Sequence, residues 1–123
     1  MKVPAFLLRR LYVKGSLRNV DGGFAFDLKN TLGSGYAEAV LPVTLDDEAL
    51  PTSSTRFTVD GTALPFDSVS ADNPMTLGMN KTVTIAVDGR QLAPGKHKIG
   101  VGFMVTGMGE MVFDVTDVIN GAN

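Results

Sequence analysis

His97 is the only histidine in this chain, so acid–base chemistry near neutral pH would depend on it. A Ser-His-Asp hydrolase would also need a nucleophilic serine, and no serine here stands in a nucleophile-elbow motif. Counting by twos places His97 at the start of an apolar row that continues through Ile99, Val101, Phe103 and Val105. A histidine at that position typically bonds a loop backbone and holds the strand in place. We interpret His97 as a structural anchor, with a catalytic or ligand role as the alternative.

The carboxylates offer little for metal or glycosidase chemistry. One histidine and three glutamates (Glu38, Glu48, Glu110) are too few for the usual transition-metal ligand sets. The aspartates, including Asp46 and Asp47, do not match an EF-hand loop, although an all-carboxylate calcium site stays open beside the simpler interpretation as turn residues. Paired carboxylates for glycoside hydrolysis also stay open, because their pairing is spatial. We predict no catalytic, cofactor-binding or metal-binding residue in this chain.

Three of the six methionines cluster near one predicted turn. Met104 lies opposite the core row, Met108 is flanked by glycines at the turn, and Met111 begins the next strand. A flexible apolar side chain at such a turn is exposed unless something covers it. We predict a partner interface at Met104, Met108, Glu110 and Met111; the alternative is that the turn folds back on its own domain. Gly100 and Gly102, on the Met104 face, would leave a flat strip able to accept another backbone.

Composition narrows the partners and the compartment. The chain has no cysteine, hence no disulfide, thiolate nucleophile or zinc–thiolate site, which fits a cytoplasmic protein. A net charge of −2 gives no electrostatic reason to expect nucleic acid or an anionic membrane as a partner. The apolar run from Val3 to Leu8 is closed by two arginines and is too short for a signal peptide or a membrane span.

Apolar residues alternate with polar ones along most of the chain, which indicates that His97 and the methionines lie on β-strands or on the turns between them. Asp-Gly, Pro-Gly and Gly-x-Gly sequences between the alternating runs favour hairpin turns. We predict an all-β fold of roughly seven to nine antiparallel strands in a two-sheet β-sandwich, jelly-roll or immunoglobulin-like. It is a single domain over residues 1–123, with residues 119–123 expected to fray. Residues 46–50 are the best helix candidate, and Pro42 predicts an edge or a bulge within the strand-like run 36–45.

Several motifs resemble the C-glycoside deglycosidase β-subunit family. They are "RLYVKGSL" and "GFAFDLKN" near the start, a central "VDG", "LAPGKHKI" before the long apolar row, and the closing "GMGEMVFDVTDVI". The resemblance spans Val3 to Ile119 and is weak over residues 46–80. It implies a β-sandwich subunit of a bacterial lyase complex that cleaves 3-keto C-glycosides of flavonoids by elimination. It further implies that a larger TIM-barrel α subunit carries a divalent, manganese-like metal and the acid–base residues.

On that resemblance the chain is expected to be the non-catalytic β subunit, which supports and caps the α subunit. The aglycone, the stoichiometry and any contact of this chain with substrate are not implied. A second hypothesis is a free-standing sugar-binding or structural β-sandwich, although the chain has no tryptophan and only Tyr12 and Tyr36 for stacking on sugars. A third is an independent enzyme that uses His97.

Overall fold

Apolar side chains at every second position form the strands of this fold, which the computed structural model describes for residues 3–33 and 35–119. The described residues form two antiparallel sheets packed around one apolar core, so the predicted all-β sandwich is confirmed, although these residues form eleven strands where seven to nine were expected. The first sheet has the order β1-β2-β9-β6-β7, and the second has β11 and the pairs β4-β5 and β3-β8 around β10. The strands are β1 (Arg18–Val20), β2 (Gly23–Lys29), β3 (Gly35–Val40), β4 (Thr44–Leu45), β5 (Glu48–Ala49), β6 (Thr55–Val59), β7 (Thr62–Pro65), β8 (Met75–Leu77), β9 (Thr82–Asp88), β10 (Gly95–Val105) and β11 (Gly109–Ile119).

Strand β10 organises the second sheet. It pairs with β11 over all eleven of its residues, and its other edge pairs with β4 at Ile99–Gly100 and with β3 at residues 103–105. Its inward row is buried as predicted, with Ile99 fully buried and Val101 3% exposed. Phe24, Phe26, Val83 and Ile85 of the first sheet face it across the core and are at most 1% exposed.

The stretch around Pro42 differs from the single strand that its alternation suggested. β3 ends at Val40 and β4 begins at Thr44, and the register of the β3–β10 pairing shifts between Met104 and Val105. The shift turns Val40 toward the core, against which it packs partly buried. Leu41 then lies over Gly102 on the outer face of the sheet.

The predicted helix at residues 46–50 is wrong. Asp46 and Asp47 have φ of 50° and 73°, and Glu48–Ala49 form β5 against β4. Two consecutive residues with positive φ make the two-residue turn that suits a tight hairpin, and Asp tolerates that conformation better than most residues. The local acidic run therefore codes for a turn.

Helical structure lies elsewhere in the described residues. The helix α1 (Ala5–Leu8) packs on β11 and buries Leu8, and single 3₁₀ turns cover Arg9–Leu11, Thr52–Ser54 and Phe66–Ser68. In this part of the chain no helix is long and apolar enough to pass through a bilayer. Ile119, where the frayed tail was expected to begin, pairs with Gly95 and is 2% exposed; the rest of that tail, 120–123, lies outside the described residues.

Candidate functional site

His97 lies where β10 begins and is held by two acceptors. Its Nε2 lies 2.7 Å from the Ala93 carbonyl oxygen, and its Nδ1 lies 2.9 Å from Asp46 Oδ2. Neither acceptor can donate in return, so the full arrangement requires a doubly protonated, cationic ring. The bond to Ala93, followed by the one to Asp46, holds the pKa of His97 above its usual value, although partial burial acts against this.

Asp46 connects His97 to the β4–β5 turn. Its second oxygen accepts the Lys98 N–H over 2.8 Å. That backbone bond and then the His97 side chain hold the pKa of Asp46 below its usual value. The next residue of the turn, Asp47, forms an ion pair of 2.6 Å with Lys98. This geometry suits an anchor between β10 and the β4–β5 turn, and the absence of a catalytic role stays a prediction.

The four residues of the predicted interface lie on two different faces of the β10–β11 hairpin. Met104 and Glu110 are cross-strand neighbours on the outer face of the sheet. Met108, in the turn, is 41% exposed, whereas Met111 is partly buried against the core. Met108 and Met111 line the same cavity on the inner side. The structure thus separates Met104 and Glu110 from Met111, with Met108 between them at the tip.

The flat strip expected at Gly100 and Gly102 is already covered by this chain. A Cβ at Gly100 would overlap Thr44 Oγ1, and a Cβ at Gly102 would approach Leu41 Cδ1 to 2.6 Å. Both glycines are buried for that reason, and this strip cannot accept another backbone. The two glycines do mark a close approach, as predicted, but the groups that approach are the side chains of Thr44 and Leu41 and not another backbone.

Glu38 and Glu48 each contact a different residue. Glu48 pairs with Arg90 at 3.1 Å, and Glu38 accepts a long hydrogen bond of 3.5 Å from Thr106. Across residues 3–33 and 35–119, no three or more His, Asp or Glu side chains are grouped closely enough to hold a metal ion.

Asp117 gathers donors from the N-terminal segment, a cluster that the sequence did not reveal. Burial disfavours its ionised form, but the Tyr12 hydroxyl and the N–H groups of Val118, Gly15 and Leu17 all donate to it. The net effect holds the pKa of Asp117 below its usual value. Burial and the same hydrogen bond raise the pKa of Tyr12. Tyr12 also packs on Phe26 with ring centres 6.0 Å apart, so it is not a free platform for sugar rings.

An apolar opening lies at the end of the sandwich that carries the β10–β11 turn; we call it the end cavity. It has a volume of about 350 Å³. Its inner walls include buried Leu28, Ala37, Met75 and Phe103. Its mouth carries three exposed side chains, namely Leu32, Tyr36 and Met108, which are 43%, 56% and 41% exposed.

Small residues on β3 explain why the core leaves this space. Inward positions on the neighbouring strands carry Phe103 and Val105 of β10 and Met75 of β8, but β3 presents Gly35 and Ala37 there. A Cβ at Gly35 would meet only Val105 Cγ1, at 3.8 Å. The small residues Gly35 and Ala37 in an alternating strand were the available sign of this space in the sequence. The sequence does not give the order of the strands, so the residues that face Gly35 and Ala37 could not be identified.

Comparison with known proteins identifies a family for nearly the whole chain. A family model described as "Hydroxymethylglutaryl-CoA reductase, N-terminal domain" matches residues 7–120. No curated protein matches the chain. The matched family differs from the C-glycoside deglycosidase β subunits, so the assignment to that family and to a C-glycoside-cleaving lyase is wrong. The TIM-barrel partner, its manganese-like metal and the 3-keto substrate rested on that resemblance and are tested by no observation.

Proposed function

The chain belongs to the hydroxymethylglutaryl-CoA reductase N-terminal domain family, and from this premise we propose that it is an accessory domain of such a reductase. The match over residues 7–120 carries the proposal, because it covers both sheets of the sandwich. In this role the domain binds the catalytic part of the reductase, on the same chain or on another, and stabilises it. We assign no step in the reduction to residues of this chain.

The mouth of the end cavity is the surface that best supports docking. Leu32, Tyr36 and Met108 are large, exposed and grouped around one opening. Exposed apolar groups that cluster in this way are favoured sites of protein contact, and Met adapts its shape to a partner. Glu110 lies two residues after Met108 but on the outer face of the sheet, so we leave it out of this surface. We also propose a cytoplasmic location, in keeping with the cysteine-free composition.

Co-purification with the catalytic part of a reductase from the same genome tests the proposal. We expect the tagged chain to retain it, and to lengthen the half-life of its hydroxymethylglutaryl-CoA reductase activity on heating. Met108→Asp and Tyr36→Asp should each weaken binding about tenfold, because a charge would be buried in an apolar contact. Leu64→Asp is the matched control, since Leu64 is 42% exposed but lies on β7 in the other sheet.

Three results would contradict this proposal in different ways. Failure of the wild-type chain to bind or to protect the reductase would refute the accessory role. Equal loss of binding in the Leu64→Asp control, or none in Met108→Asp and Tyr36→Asp, would refute the docking surface alone. Full reductase activity of this chain by itself would show that it is not accessory.

A further inference from the structure

We propose that the end cavity is a binding site for the hydrocarbon part of a small soluble molecule. This inference goes beyond the accessory role, because it concerns the interior of this chain and requires no reductase. Its volume of about 350 Å³ falls within the range of roughly 300–1,000 Å³ that is typical of small-molecule pockets. An apolar cavity of roughly 150 Å³ in another protein is already enough to bind benzene.

The lining determines the ligand class. Leu28, Met75, Phe103 and Met111 contribute only carbon and sulfur atoms from their side chains. Two methionines among these walls supply flexible, polarisable surface that adapts to an alkyl chain. An apolar group that enters is removed from water on several sides, which is the condition for hydrophobic binding.

The buried polar side chain of the lining, Asn30, is already satisfied within the chain. Asn30 Nδ2 donates to the carbonyls of Gly33 and Leu77 over 2.6 and 3.0 Å. Its Oδ1 accepts the N–H groups of Leu32 and Gly33 over 3.2 and 3.3 Å. Within the described part of the chain, no buried side-chain nitrogen or oxygen lacks a hydrogen-bond partner. The cavity therefore has no buried side-chain group waiting for a polar ligand atom, so the hydrocarbon must supply the affinity.

A homologous series of n-alkanols tests this mode of binding on the isolated chain. The neutral fluorophore N-phenyl-1-naphthylamine reports occupancy, and the alkanols compete with it. Each added methylene should tighten binding about fourfold until the cavity is filled. Competition by benzyl alcohol shows whether an aromatic ring enters the cavity as readily as an alkyl chain. Saturable displacement of the probe from a single site, by the alkanols or by benzyl alcohol, supports a hydrocarbon pocket.

Filling the cavity from β3 should weaken binding of the probe. Ala37→Leu adds a larger side chain at a buried lining position, and Gly35→Leu does so where the nearest atom beyond the local chain is 3.8 Å from the new Cβ. Each should weaken probe binding at least about tenfold and raise Tm, because it occupies empty apolar space. Ala39→Leu is the matched control, since Ala39 pairs with Met104 on the outer face of the same strand and does not line the cavity.

The possible results distinguish a hydrocarbon pocket from the absence of a site and from binding to a lipid surface. No saturable binding to the wild-type chain, or binding that both Ala37→Leu and Gly35→Leu leave unchanged, would overturn the proposal. Co-sedimentation of the wild-type chain with phosphatidylcholine vesicles, lost in Ala37→Leu, would also overturn it in favour of a lipid surface. Because the test uses the chain alone, it can succeed or fail whether or not the chain binds a reductase.

Discussion

The Tyr12 hydroxyl donates a hydrogen bond of 2.6 Å to Asp117 Oδ2 and so joins two residues that are 105 positions apart. Arg9 makes a parallel connection, since its Nε–H donates to the Asp114 carbonyl over 2.8 Å. These bonds fasten the N-terminal segment to the outer strand of the second sheet. The segment in turn pairs with the first sheet through the Tyr12–Leu28 bridge, so it links the two layers.

Tyr12→Phe should lower the free energy of unfolding by about 1–3 kcal/mol. The change removes one donor to a buried carboxylate but keeps the ring that packs on Phe26. Urea denaturation measures the effect. Tyr36→Phe is the control, because Tyr36 is 56% exposed, and its stability should match that of the wild type. Equal stability of Tyr12→Phe and wild type would show that the bond contributes nothing net.

Asp117 should contribute to acid unfolding. Its pKa is lower in the folded chain than in the unfolded chain, so its stabilisation is present above the unfolded pKa of about 3.8 and is lost as pH falls through the folded value. Asp117→Asn should therefore show a flatter dependence of Tm on pH below about pH 4. Asp67→Asn, at an exposed position in a 3₁₀ turn, provides the comparison. A variant profile parallel to that of the wild type would contradict this role.

His97 should make stability fall on the alkaline side. Its pKa is raised in the folded chain, so its stabilisation is present below the unfolded value of about 6.5 and is lost as pH rises through the folded value. As the only histidine, it gives one set of ring resonances, and NMR titration should place its pKa above 6.5. Asp46→Ala should move that pKa down by removing one acceptor of the cationic ring.

The hypothesis that His97 is catalytic makes a different prediction. His97→Gln should then abolish any activity of the isolated chain while leaving its dependence of Tm on pH unchanged. If His97 is a structural anchor, the Tm of the same variant should no longer decline above about pH 6.5. Any activity of the chain should then persist at temperatures where the variant is folded.

Gly100→Ala should destabilise the fold by about 1–3 kcal/mol. The new Cβ would overlap Thr44 Oγ1, and overpacking of a closely packed site costs energy of that order. Thr44→Ala in the same chain should restore part of the loss, because it removes the overlapping atom. Gly35→Ala is the matched control, where the nearest atom is 3.8 Å away and the loss should be absent. Equal losses of stability at both glycines would mean that the overlap with Thr44 does not determine the cost.

Much of the fold followed from local patterns. The alternating rows of β2, β9 and β10 and the Asp60–Gly61 turn between β6 and β7 lie where the sequence indicated. The placement of Met104 opposite the core row also held, because period-two geometry fixes the faces of a regular strand. The family assignment did not hold, because the family model that matches residues 7–120 is that of a different family.

The sequence by itself determined which residues alternate, where tight turns fall, and hence that two apolar sheet faces must pack together. Only the tertiary structure decided which strands are neighbours. It showed that Leu41 and Thr44 cover the β10 glycines, that Tyr12 meets Asp117, and that Gly35 and Ala37 leave a cavity under Met108. These relations join residues far apart in the chain, and a local pattern carries no information about which distant side chain fills a given space.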